Sequence, residues 1–133
     1  MTPAVVPGFR HDSLLIGFKP IDDLHREFQN ILDALLDPAE ADLGTHLLAL
    51  HKHLLRHCAI EEEFMRQEAY PHLDRHRRAH ERLLEWVADV RRRFDAGDVD
   101  GTRRFCDDLL GWFVVHAQTE DAELAAFLKG SPV

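Results

Sequence analysis

The sequence predicts an all-α protein, an up-down-up-down antiparallel four-helix bundle with an extended N-terminal arm. Three observations carry that expectation. Four stretches place apolar residues at helical spacing, the breaks between them are short, and no segment alternates like a half-buried strand. At 133 residues the chain is most simply one domain with one real core. An arm is expected over residues 1–19, where Pro3, Pro7, Gly8 and Gly17 interrupt any helix, and the bundle over 20–128.

The first helix is expected from about Pro20 to Leu36, with Ile21, Leu24, Phe28, Ile31 and Leu35 on one face. "DPAE" then offers Asp37 as an N-cap, Pro38 at the first helical position and Glu40 three residues after the cap. The second segment follows, with Leu43, Leu47, Leu50, Leu54, His57, Glu61 and Phe64 in alternating steps of four and three. Pro71 opens the third, whose inner positions are Leu73, His76, His80, Leu83, Val87, Val90 and Phe94. "DAGDVDG" breaks the chain. The fourth runs from about Thr102 to Leu128 on Phe105, Leu109, Trp112, Phe113, His116, Leu124 and Leu128.

Composition narrows the function. A content of 45% hydrophobic and 30% charged residues is that of a soluble globular chain. The net charge of −8 argues against nucleic acid or an anionic membrane as partner. No apolar run approaches the roughly 18 residues of a spanning helix. The start, "MTPAVVPGFRHDS", lacks the basic residues and continuous apolar stretch of a secretory signal. Cys58 and Cys106 suggest no disulfide framework and fit a reducing compartment, so the cytoplasm is expected.

All four apolar stripes are broken in the same way. His57 and Glu61 interrupt the second, His76 and His80 the third, and His116 the fourth, while His25 sits beside Leu24 and Phe28 on the first. Burying a carboxylate or a group of imidazoles is unfavourable unless they are paired or bound to metal. Singly, each has a plainer reading. A lone His on an apolar face is usually a hydrogen-bonded core residue. His76 and His80 suit a zinc site or a surface pair, and His57 with Glu61 a buried couple. Jointly these readings need several independent coincidences. Inward His and carboxylate side chains at one level of a four-helix bundle are how protein-held dinuclear metal sites are built.

Four segments, "IDDLHREF", "HCAIEEEFM", "YPHLDRHRRAH" and "WFVVHAQTED", resemble the hemerythrin signature in order and spacing. That signature has a His after Ile-Asp on the first helix, then HxxxE, then HxxxH after Tyr-Pro, then HxxxxD preceded by Trp. The resemblance covers about residues 9 to 128. It implies a non-haem di-iron centre, two Fe ions per chain (Fe2+/Fe3+) with an oxo or hydroxo bridge. By motif position His76, His80 and His116 would hold one iron, His25 and His57 the other, and Glu61 and Asp121 would bridge both. One coordination place beside the two-His iron would stay open, and in this family it takes O2. The metal's identity comes from the family, because nitrogen and carboxylate ligands also suit zinc, manganese or cobalt.

The implied function is reversible O2 binding for transport, storage or delivery rather than enzymatic turnover. The alternative is a sensor of O2, NO or redox state, or a di-iron enzyme acting on peroxide or nitric oxide. O2 or a similar small ligand is the expected partner, with neither nucleic acid nor membrane, for a monomer or weak oligomer. Trp112, Phe113, Ala117 and Cys58 are expected around the O2 pocket. Family members commonly carry Phe and Ile where Cys58 and Ala117 stand, so the resemblance suggests a roomier pocket here.

Asp121 lies five residues after His116, about 140° round an ideal helix, whereas Glu120 lies four after it. Spacing alone favours Glu120. The motif selects Asp121, with a local helix distortion to help it. His11, His46, His51, His53 and His72 have no place in the motif and are expected at the surface or at helix ends. Glu62 and Glu63 are expected to face solvent.

Overall fold

The structure, a computed structural model, describes residues 14–130. Four long helices carry it: α1 (Lys19–Leu36), α2 (Leu43–Gln67), α3 (Leu73–Asp95) and α4 (Val99–His116). The last continues through a widened turn, Ala117–Asp121, into α5 (Ala122–Leu128). Among the described residues there is no strand. Each helix packs on the next, and α4 closes back on α1. With short connections, that pattern is the up-down-up-down bundle.

Most of the expected arm over 1–19 lies outside the described residues. Residues 14–18 are tied to α1. Leu14 is buried, and the N–H groups of Ile16 and Gly17 donate to the Asp22 carboxylate at 2.7 and 3.1 Å.

Helix starts depart from the sequence reading where two caps compete. α2 begins at Leu43 with Asp42 as its N-cap, whose carboxylate accepts from the Thr45 N–H at 3.4 Å. Asp37 instead closes the preceding turn by accepting from the Ala39 N–H at 2.9 Å, and Glu40 takes the Asp42 N–H at 2.6 Å. The helix starts where the chain first gains a buried side chain, Leu43. α3 opens at Leu73, two residues past Pro71. α4 opens at Val99, because Asp98 accepts from the Gly101 N–H at 2.8 Å and supplies the cap.

The apolar interior divides in two. The larger cluster includes Phe28, Leu32, Leu50, Leu54, Leu83, Val87, Leu109 and Phe113. A smaller one holds Ile21, Met65, Tyr70 and Leu124. Polar interior residues lie where these clusters meet: His25 between Ile21 and Phe28, Glu61 between Cys58 and Met65, and Asp121 between Ala117 and Leu124. Two interior positions shift by one residue from the expected stripe. Leu32 and Met65 are fully buried, whereas Ile31 and Phe64 are only half-buried.

Removing the fully buried Leu50 side chain should leave an apolar void. Leu50→Ala is expected to lower unfolding free energy by about 2–5 kcal/mol in urea denaturation. Leu55→Ala, at a side chain 49% exposed, should change it by no more than about 0.5 kcal/mol.

Candidate metal centre

The packing that buries the leucines also drives the polar residues together. His57 and Glu61 are one turn apart on α2, and His76 and His80 one turn apart on α3, so each pair shares a face. His25 comes from α1, His116 from the end of α4, and Asp121 from the widened turn. None of these seven residues is more than 4% exposed.

Asp121 reaches the interior because the helix widens after His116. The Ala122 N–H bonds back to the Ala117 carbonyl, five residues away. One extra residue in the turn rotates Asp121 onto the face of His116. The Thr119 hydroxyl donates to the Val115 carbonyl at 2.6 Å, a bond that bends helices. Glu120 turns the other way. Its Oε2 lies 3.3 Å from His116 Nδ1 and its Oε1 3.7 Å from Arg75 Nε. Glu120 therefore stands behind the His116 ring and Asp121 in front of it.

The two buried carboxylates divide their oxygens. Glu61 Oε2 lies 2.8 Å from His57 Nε2 and 3.9 Å from His25 Nε2. Its Oε1 lies 3.3 Å from His76 Nε2 and 3.1 Å from His80 Nε2. Asp121 Oδ2 is 3.0 Å from His25 Nε2, while its Oδ1 is 3.0 and 3.1 Å from Nε2 of His76 and His116. One oxygen of each acid thus faces His25 and His57, and the other faces the remaining imidazoles. The donors form two groups, Glu61, His76, His80, His116 and Asp121 in one and His25, His57, Glu61 and Asp121 in the other, with ligand atoms in each within 4.8 Å of one another.

These residues fit a pair of metal ions. Glu61 Oε1, Asp121 Oδ1 and the Nε2 atoms of His76 and His116 are buried without a hydrogen-bond partner. They approach one another to 3.0–3.3 Å without the alignment of hydrogen bonds. Buried polar atoms are normally paired, so such a set is satisfied by a cation held among them. Imidazole and carboxylate donors suit first-row divalent metals.

Contacts behind the rings turn Nε2 inward. His25 Nδ1 meets the Leu14 carbonyl at 2.5 Å, and His80 Nδ1 meets Glu62 Oε2 at 2.9 Å. His57 Nδ1 lies 3.2 Å from His53 Nε2. Two sequence expectations are corrected here. Glu62 folds back onto His80 rather than facing solvent, whereas Glu63 is exposed and pairs with Arg66. His53 is 5% exposed, an interior residue and not a surface one. Its signal was its spacing, three residues after Leu50 and four before His57. His46 lies 3.0 Å from Glu40, His51 meets Arg91, and His72 precedes α3. His11 lies outside the described residues.

Of the four residues expected around a ligand pocket, Cys58 and Phe113 line one buried space with Leu54, His57, His80, Leu83 and His116. That space has no room for a water molecule, because Leu54, Leu83 and Phe113 close around the small Cys58. Trp112 lies outside it, stacked on His116 with ring centroids 4.8 Å apart and planes 11° apart, beside an open cleft of about 410 Å³. Ala117 is buried in the larger apolar cluster and does not line the space.

Residues 17–128 match the family model described as the hemerythrin HHE cation binding domain. The chain belongs to the hemerythrin family. It is 32% identical over 117 residues to a bacteriohemerythrin of Ralstonia nicotianae, covering 88% of this chain and 85% of that one. It is 30% identical over 120 residues to a myohemerythrin of Sipunculus nudus, covering 90% and 92%. A solved structure of a hemerythrin point variant shares the fold, with a TM-score of 0.79 at 24% identity over 86% of this chain and 91% of that one. The hemerythrin domain implies a non-haem di-iron centre, and the His/Glu/Asp cluster is one that could hold it. Among the described residues no helix is long and apolar enough to cross a membrane.

In the metal-free hemerythrin, burial opposes every charge in the cluster, and attraction between imidazoles and acids overrides it. Burial works against the Glu61 carboxylate, yet His57, His76 and His80 hold it well below its usual range. Burial and the charge of Glu61 work against Asp121, yet His116 and His25 hold it below the carboxylate range. Burial lowers His25 and His76, but the two acids carry both above the ordinary imidazole value. His80 is likewise raised against burial by Cys58, Glu61 and Glu62. His116 is raised to about 9, with Asp121 outweighing burial. His53 moves the other way, pushed down to about 3 by burial and by His57.

These shifts set opposite limits on stability. The raised imidazoles contribute stability that is complete below the unfolded value of 6.5 and is lost as pH rises, through about 9 for His116. The depressed acids contribute stability present above their unfolded values of 3.8 and 4.5 and lost as pH falls. Thermal unfolding of the metal-free protein should therefore peak near about pH 5 to 6 and fall toward pH 9. Saturating Co2+ should raise Tm more at high pH than at low pH, because the imidazoles must shed protons to ligate. A metal-free Tm that climbs from pH 6 to 9 would contradict this.

Proposed function

We propose that this hemerythrin binds O2 reversibly at a di-iron centre. His76, His80 and His116 would hold one iron, His25 and His57 the other, and Glu61 and Asp121 would be shared between them. The observation that carries the reading is the division of oxygens, in which each buried acid serves both imidazole sets. Kinship with the hemerythrins supports iron as the metal.

When bound, the iron pair supplies the electrons that O2 takes up and returns. The chain's own residues do the rest. They set five donors around one position and four around the other, so the position beside His25 and His57 is the more open to a small ligand. Leu54, Leu83 and Phe113 pack over the space beside His57, so these apolar side chains must part to admit a ligand. Such an apolar lining favours a neutral diatomic over a hydrated anion, whose desolvation is costly. Burial holds the Cys58 thiol above its ordinary value, so a thiolate nucleophile is disfavoured there.

Anaerobic loading with Fe2+, followed by O2 and then by deoxygenation, tests this reading. About two irons per chain should bind, in line with the two donor groups. A visible charge-transfer band should form with O2 and vanish when O2 is removed. Irreversible oxidation with turnover of peroxide or nitric oxide would favour an enzyme instead. Asp121→Asn should weaken uptake of the second metal by more than the roughly 10–100-fold typical of losing an outer contact. Glu120→Gln should still take up two. The reverse result would make Glu120 the bridging acid.

A further inference from the structure

The buried imidazole of His53 stands outside the seven donors yet touches one of them. Its Nε2 lies 3.2 Å from His57 Nδ1. Its own Nδ1 lies 3.4 Å from Glu27 Oε2 of α1. Glu27 in turn pairs with Arg56. The Glu27 carboxylate faces Nδ1, so Nδ1 carries the ring proton and Nε2 the lone pair. That lone pair accepts the N–H of His57 Nδ1. The free lone pair of His57 is thereby fixed on Nε2, the atom 2.8 Å from Glu61.

The other rings are backed differently. Glu62 stands 2.9 Å behind His80 and Glu120 3.3 Å behind His116. His25 is backed by the Leu14 carbonyl. A carboxylate behind an imidazole strengthens it as a donor more than an uncharged acceptor does. Glu62 thus hydrogen-bonds the His80 ring, whereas Nδ1 of His76 and of His116 has no hydrogen-bond partner. The two-imidazole position, with four donors against five, is the weaker of the pair. His53 also floors an open cleft of about 570 Å³ between α1 and α2, where Lys52, Glu27 and Arg56 meet solvent. Without its ring, water would reach the His57 N–H.

We propose that His53 is a positioning residue for His57: it fixes the tautomer and ring orientation of His57 and so strengthens metal uptake at the two-imidazole position. The inference rests on the dinuclear reading given above.

Co2+ titration followed by visible absorption and calorimetry tests it on the wild-type chain, His53→Leu and His53→Gln. The wild type should bind two equivalents in two resolvable steps. His53→Leu should lose about 10–100-fold in the weaker step with the tighter step unchanged. His53→Gln should keep wild-type affinity, because its amide oxygen accepts from His57 while its amide N–H groups face Glu27. Wild-type affinities in His53→Leu, equal losses in both steps, or failure of His53→Gln to rescue would each overturn the proposal. A wild type that takes up fewer than two Co2+ would instead remove the dinuclear reading, and this inference with it.

Discussion

Two acids shared among five buried imidazoles are the constraint on which the rest of this bundle depends. Glu61 and Asp121 are both fully buried, and each presents its two oxygens to imidazoles on different helices. Every long helix contributes to that cluster, so helix register is set by polar donors as well as by leucines. An apolar bundle tolerates small slips between helices, whereas a buried charge without its partners is strongly unfavourable. The two apolar clusters on either side of the polar level hold the helices so that the donors cannot part.

That arrangement trades stability for a site. Seven polar side chains occupy a level that could have been packed with apolar groups. Without metal, mutual attraction compensates only in part, leaving buried atoms of Glu61, His76, His116 and Asp121 unpaired. Metal ligation then becomes a portion of the folding free energy. The widened turn after His116 belongs to the same trade, since a regular helix would carry Asp121 off the face of His116.

The order of helices and the candidate donors were legible in the sequence for one physical reason: a histidine or acid in an apolar stripe is an anomaly, and each stripe carried one. Periodicity could not decide between Glu120 and Asp121, because an ideal helix was the wrong ruler for a turn with an extra residue. The family motif selected Asp121, and the turn brings that side chain inward. The start of α2 was misplaced because Asp37 and Asp42 are both competent caps, and burial of Leu43 decided between them. Contacts behind the rings were least visible. Glu62 sits in a run of three glutamates, where nothing local tells which one turns back to a neighbouring helix. His53 follows the stripe of Leu50 and Leu54, but without the packing of α1 over α2 it read as one more surface histidine.

Anomalous diffraction at the iron edge from crystals of the iron-loaded protein tests the shared-acid arrangement most directly. Two peaks are predicted inside the bundle, both in contact with Glu61 and Asp121, one also ligated by His76, His80 and His116 and the other by His25 and His57. A single peak, or two peaks that share neither carboxylate, would contradict it.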